Sequence, residues 1–113
     1  MAENHIPAWA KIIIDVHKSV AGKAVSHAGR LQSDRYFVWQ EDWLDADAVA
    51  DDTHDAEAIT GTTDLFTKME FDPWTKEIEK AFTNCSHITW QKSGLDYEPD
   101  TGFWHYSWDW SVI

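Results

Sequence analysis

Near the C-terminus, His105, Ser107 and Asp109 carry an imidazole, a hydroxyl and a carboxylate, the three groups of a nucleophilic relay. Their period of two sets them on one face of a β-strand, with neighbours about 6.6–7 Å apart along it. That spacing exceeds hydrogen-bond reach, and a relay needs contact, so the three read as a polar outer face. Six histidines (His5, His17, His27, His54, His87, His105) show no HxH or HExxH spacing that would set two rings around a metal. His17, next to Val16 on an amphipathic stretch, reads as a half-exposed flank residue. The one cysteine, Cys85, excludes an intramolecular disulfide and a Cys-based zinc site, and a reducing compartment is its simplest setting. It follows a helical stretch instead of preceding one, so no helix N-terminus activates it. There is no Gly-rich phosphate loop. The expectation is a chain with no catalytic, cofactor-binding or metal-ligating residues, and not an enzyme.

A second concentration of chemistry is acidic: Glu41, Asp42, Asp45, Asp47, Asp51, Asp52, Asp55 and Glu57, with no Lys or Arg between Arg35 and Lys68. A calcium loop counted from Asp45 puts Asp47 correctly at its third position. It then places Val49 at the fifth, Ala50 at the turn glycine and Ala56 at the bidentate position, so the EF-hand reading fails. A solvated hairpin loop remains.

The formal charge of −11 over 113 residues argues against nucleic acid as a direct ligand, because phosphate contacts need Lys and Arg, and against anionic lipid. Met-Ala-Glu-Asn-His-Ile-Pro lacks the basic and apolar regions of a signal peptide, and no membrane span is expected. An apolar content of 43% with eight Trp predicts a folded core, and the length suits a single domain over residues 1–113.

The elements follow from periodicity. Trp9, Ile12, Ile13, Val16 and Val20 recur at helical spacing, predicting a helix over 7–20 that ends near Gly22. Residues 26–34 read as a loop, with Lys23-Ala24-Val25 able to hold a further turn. Tyr36-Phe37-Val38-Trp39 opens a strand running to about Trp43; its lack of alternation suits a strand covered on both faces or packed on another subunit. Residues 58–67 return as a second strand, with Gly61 marking a candidate bulge. Asp72-Pro73 starts a second helix with the stripe Trp74, Ile78, Ala81 and Phe82. A third strand begins at His87, slips phase at Ser93-Gly94, and reaches the turn Glu98-Pro99-Asp100-Thr101-Gly102. The final strand alternates Trp104, Tyr106, Trp108, Trp110 and Val112 against His105, Ser107, Asp109 and Ser111, and should be indispensable to folding. The fold class is α+β: an antiparallel sheet of about four strands with two helices on one face, in the order α-β-β-α-β-β. Trp74, Trp90, Trp104, Tyr106, Trp108 and Trp110 are its expected core aromatics. Surplus Trp suits a subunit interface, or an open platform for sugar stacking.

Several stretches together resemble a known family: Tyr36-Phe37-Val38-Trp39-Gln40-Glu41-Asp42, Thr60-Gly61-Thr62-Thr63-Asp64-Leu65-Phe66-Thr67-Lys68, Phe71-Asp72-Pro73, and Tyr97-Glu98-Pro99-Asp100-Thr101-Gly102-Phe103-Trp104-His105-Tyr106-Ser107-Trp108-Asp109-Trp110. They resemble small structural proteins of the head-to-tail joining and tail region of long-tailed bacteriophages and prophages. The element order is similar to that of tail-terminator (tail-completion) proteins. The resemblance spans about two thirds of the chain, from Tyr36 onward, and Trp43 and Trp74 fall outside its pattern.

The resemblance implies a virion structural protein of the tail neck, assembled in the host cytoplasm. It implies a homo-oligomer, a hexameric ring at the head-proximal end of the tail tube that stops tube polymerisation and docks the head–tail connector protein. The major tail tube protein would be its other partner, and DNA only passing cargo. A head-completion or connector protein fits the same residues, and a small acidic inhibitor that mimics DNA is a rival of another class. Within the ring reading, Glu41, Asp42, Asp45, Asp47, Asp51, Asp52 and Asp55 would line the lumen, repelling DNA, or dock on a basic neighbour, or only solubilise.

Overall fold

A computed structural model describes residues 5–42 and 58–113. Helix α1 (Ala8–Ala21) begins after Pro7, whose carbonyl accepts from Lys11 N–H at 3.0 Å, and ends where Gly22 turns the chain at φ 60°. Then come β1 (Val25–His27), β2 (Arg35–Glu41), β3 (Ile59–Thr67), α2 (Trp74–Asn84), β4 (Ile88–Glu98) and β5 (Phe103–Val112). Among the described residues no helix is long and apolar enough to cross a membrane.

The class is α+β, but among the described residues the sheet has five strands and is mixed, in the order β1-β2-β3-β5-β4. The additional strand, β1, takes Val25 and the first two residues of the expected loop and runs parallel to β2, pairing Val25 with Phe37 and His27 with Trp39. Its three residues carry no period, and its partner lies beyond a connecting loop, so only the tertiary fold creates it. The two expected hairpins, β2–β3 and β4–β5, join through β3 and β5, which makes β5 an interior strand. The phase slip shows as a register break between Lys92 and Gly94.

Gly61 marks no bulge. It sits in an unbroken ladder opposite Glu41 and Trp110, because a Cβ there would collide with the Trp110 ring and lie 2.5 Å from the Gln40 carbonyl oxygen.

The main core lies between the helices and one sheet face: Ala10 and Ile13 of α1, Ile78 and Phe82 of α2, and Phe37, Trp39, Leu65, Ile88, Trp108, Trp110 and Val112 of the sheet. A second cluster, Tyr36, Val38 and Phe66, lies on the opposite face. Arg30, from the loop between β1 and β2, covers it with its guanidinium 4.0 Å from the Phe66 ring centre. Tyr36, Phe37, Val38 and Trp39 are therefore all buried, which explains why β2 does not alternate.

Candidate functional site

The C-terminal hydroxyl and imidazole do meet, through a residue that the one-strand geometry omits. Asp64 of β3 pairs across to Ser107, and its Oδ1 accepts from Ser107 Oγ–H and from His105 Nε2–H, each at 2.7 Å. Both side chains lean toward that oxygen, which brings Ser107 Oγ to 3.4 Å from His105 Nε2. Asp109 stands apart, 3.4 Å from the Thr62 hydroxyl. The cluster lacks relay geometry. The serine proton points at a carboxylate, and the Nε2 that would act as base spends its own proton on the same oxygen. The His105 ring stacks on Phe66 with centroids 4.3 Å apart, so the three groups fasten β5 to β3.

His17 is fully buried, not a flank residue. Ala10, Ile13 and His17 form the buried line of α1, at helical spacing. Its Nδ1 lies 2.7 Å from the Ile13 carbonyl oxygen, which only accepts, so Nδ1 carries the proton and Nε2 accepts from Thr63 O–H at 2.8 Å. Thr63 Oγ1 accepts in turn from Trp110 Nε1–H at 2.9 Å. Burial holds the imidazole neutral, its pKa lowered to about 4 against the bond to Ile13.

A second buried network fixes the start of α2. The Asp72 carboxylate accepts from Arg35 Nε–H at 2.8 Å, Arg35 Nη2–H at 2.5 Å, Thr67 O–H at 2.7 Å and Trp74 N–H at 2.9 Å. Desolvation pushes its pKa up, but the Arg35, Trp74 and Thr67 hydrogen bonds and the Arg35 charge outweigh it, so it falls below the usual value. The Arg35 guanidinium also lies 3.7 Å over the Trp74 ring, which stacks on Phe37. This anchor sets where α2 runs.

Helix α2 buries Ile78 and Phe82 in the core beside Trp108 and Trp110, and the distal half of the β4–β5 hairpin lies beyond that cover. On that half Leu95 pairs with Tyr106 and Tyr97 with Trp104, all on the helix-side face. Leu95 is 61% exposed, Tyr97 44%, and Phe71 in the approach to α2 86%. The Tyr97 and Trp104 rings lie 4.6 Å apart, and Phe71, Leu95 and Tyr106 line one groove of about 370 Å³ with Pro73 and Trp108. Tyr106 O–H donates to the Glu70 carbonyl. A joined apolar patch beside a free strand edge marks an interaction surface.

The expected core aromatics divide along this line. Trp108 and Trp110 are buried, and Trp74, Trp90 and Tyr106 are partly buried against the core. Trp104 is half-buried and belongs to neither cluster, so it joins the patch instead. Of the expected acidic surface, Glu41 accepts from His27 Nε2–H at 2.8 Å, and Asp42 accepts from Thr60 O–H at 2.5 Å. Asp45, Asp47, Asp51, Asp52 and Asp55, with Trp43, lie outside the described residues. Among the described residues no group of three or more His, Cys, Asp or Glu side chains is arranged to hold a metal ion.

The opposite edge carries a groove of about 450 Å³ between α1 and β1, lined by Ile6, Pro7, Trp9, Ile14, Val25 and Lys18 among others. His27 stacks on Trp39 beneath it, with ring centroids 4.0 Å apart. No protein-family model matches this sequence, and no curated protein matches it significantly.

Proposed function

We propose that this chain is a structural subunit of a long-tailed phage virion, a tail terminator that closes into a ring at the head-proximal end of the tail tube. There it stops tube polymerisation and offers the head connector a docking surface. One observation carries this reading: the sheet is open, and its long edge strand borders Phe71, Leu95 and Tyr97, apolar side chains that a lone chain leaves in water. A subunit that works by contact needs such edges. The resemblance from Tyr36 onward supplies the context, and the polar cluster at Asp64 supplies bonds without a reactive group. The ring is a homo-oligomer, expected as a hexamer, between the major tail tube protein and the connector, with DNA passing through.

The test is assembly without the chain. Particles lacking it are expected to yield tubes of uncontrolled length and heads without tails. Tails of normal length joined normally to heads overturn the reading. Tubes of normal length that fail only at joining reassign the chain to head completion.

A further inference from the structure

The two edges of the sheet are unlike, and they match. The distal half of β4, beyond the break at Lys92/Gly94, presents Leu95 and Tyr97 outward. It also carries Asp96, with Asp100 in the turn that follows; Glu98 between them is held by Arg30 and Thr101, and no Lys or Arg occurs after Lys92 in the sequence. The other edge, β1, is bordered by the apolar α1 groove, in which Ile6 is 56% exposed and which Lys18 lines, and Lys23 stands two residues before β1 in the chain. The acid that lines this groove, Glu41, is held by His27 at 2.8 Å. One edge thus offers exposed apolar side chains beside an acid, and the other an apolar groove beside lysines.

We infer that the distal half of β4 in one copy adds as a strand along β1 of the next, seating Leu95 and Tyr97 in the groove between α1 and β1. Sidedness agrees. Leu95 and Tyr97 stand on the helix-side face of β4, and Val25 and His27 stand on the same face of β1, so a sheet continued from copy to copy brings these side chains under α1. Length agrees as well, because Gly94 to Glu98 spans the three residues of β1. Charge separates this contact from pairing between like edges. Joining the distal halves of β4 in register would set Asp96 against Asp96, and joining β1 to β1 would gather Lys18 and Lys23 from both copies. Unlike edges on one chain make a heterologous contact, which repeats from copy to copy and closes when its rotation divides a full turn. The inference rests on the reading of the chain as a ring subunit, and it names the surfaces that meet.

Two single-cysteine variants test it, Leu95→Cys and Val25→Cys, each made with Cys85→Ser. Opposed residues on paired strands have Cβ atoms about 4.5–5.5 Å apart, and a shift of about 1 Å brings them into the range of about 3.5–4.5 Å that a disulfide spans. Mild oxidation of the mixture is expected to give a disulfide dimer containing one of each, and neither variant alone should link to itself. Self-linking of Leu95→Cys overturns the unlike-edge geometry. Association without any cross-link overturns this interface and leaves the ring reading standing, whereas no association at any concentration, alone or on isolated tail tubes, overturns both. In a parallel arm, Lys18→Glu with Lys23→Glu should weaken association about tenfold, and mixing with Asp96→Lys should recover most of it. Equal weakening with and without the Asp96→Lys partner contradicts the charge match.

Discussion

His17 Nε2 and Thr63 Oγ1 are 46 positions apart in sequence and 2.8 Å apart in the fold, both shut off from water. Between them they settle a proton count. Thr63 has one O–H, which it gives to His17, and its lone pairs take the Trp110 indole N–H. The arrangement works only with a neutral imidazole, and it ties α1 to β3 and β5.

The pH dependence of stability follows. An unfolded chain protonates this histidine below about 6.5, whereas the folded chain resists until about 4. Above the first value both states are neutral, and between the two only the unfolded state takes the proton. Stability should therefore fall as pH drops from 6.5 to 4, by about 3 kcal/mol from this group. Urea midpoints at pH 7 and pH 4.5 measure it. His17→Gln, which keeps a donor and an acceptor without a titrating group, should flatten that interval, and an unchanged slope would contradict the assignment. Asp72 acts further down. Its pKa is depressed in the fold, so its share of stability is present above the ordinary aspartate range and is lost as pH falls through the lower folded value.

Thr63→Val keeps the shape of the side chain and removes its oxygen. The His17 and Trp110 nitrogens are then both unpaired in a closed site, which should cost about 2–4 kcal/mol in chemical denaturation. Thr63→Ser should recover most of that. A larger loss for Ser than for Val would show that methyl packing, not the hydroxyl, matters there.

Asp72→Ala removes the partner of Arg35, the Thr67 acceptor and the Trp74 cap in one change. Arg35 keeps some contact with water, so a loss of about 2–3 kcal/mol is expected, below that for a fully buried pair. The near-ultraviolet signal of Trp74 should change with it, because the cation above its ring loses its anchor.

Gly61→Ala should destabilise by about 1–3 kcal/mol, because the new methyl meets the Trp110 ring on one side and backbone on the other. The double variant with Trp110→Phe should lose less than the sum of the two single changes. Additive losses would mean that the Gln40 carbonyl sets the cost.

Local signals made much of this fold legible. Helical spacing located both helices, Asp72-Pro73 placed the second start, and the Pro-Gly turn and the phase slip at Ser93-Gly94 described the last hairpin. Pairings between distant segments stayed hidden. Strand β1 is three residues without a pattern, and its parallel partner is fixed only once α1 is docked. Asp64 reaches Ser107 because β3 and β5 are neighbours, which no turn sequence announces. His17 was legible in part: Ala10, Ile13 and His17 share the helix's inner line, but an imidazole is seldom placed at its centre. The patch at Leu95 and Tyr97 was masked by its own alternation, which matches that of a covered strand. Only the path of α2 shows that this half of the hairpin stays bare.

Native mass spectrometry of the purified chain, alone and with isolated tail tubes, most directly tests whether its unlike edges close a ring. The result expected is a single closed species near 78 kDa, six times 13.0 kDa. A chain that stays at 13.0 kDa both alone and with tubes, or that stops at a symmetric dimer of twice that mass, contradicts the account.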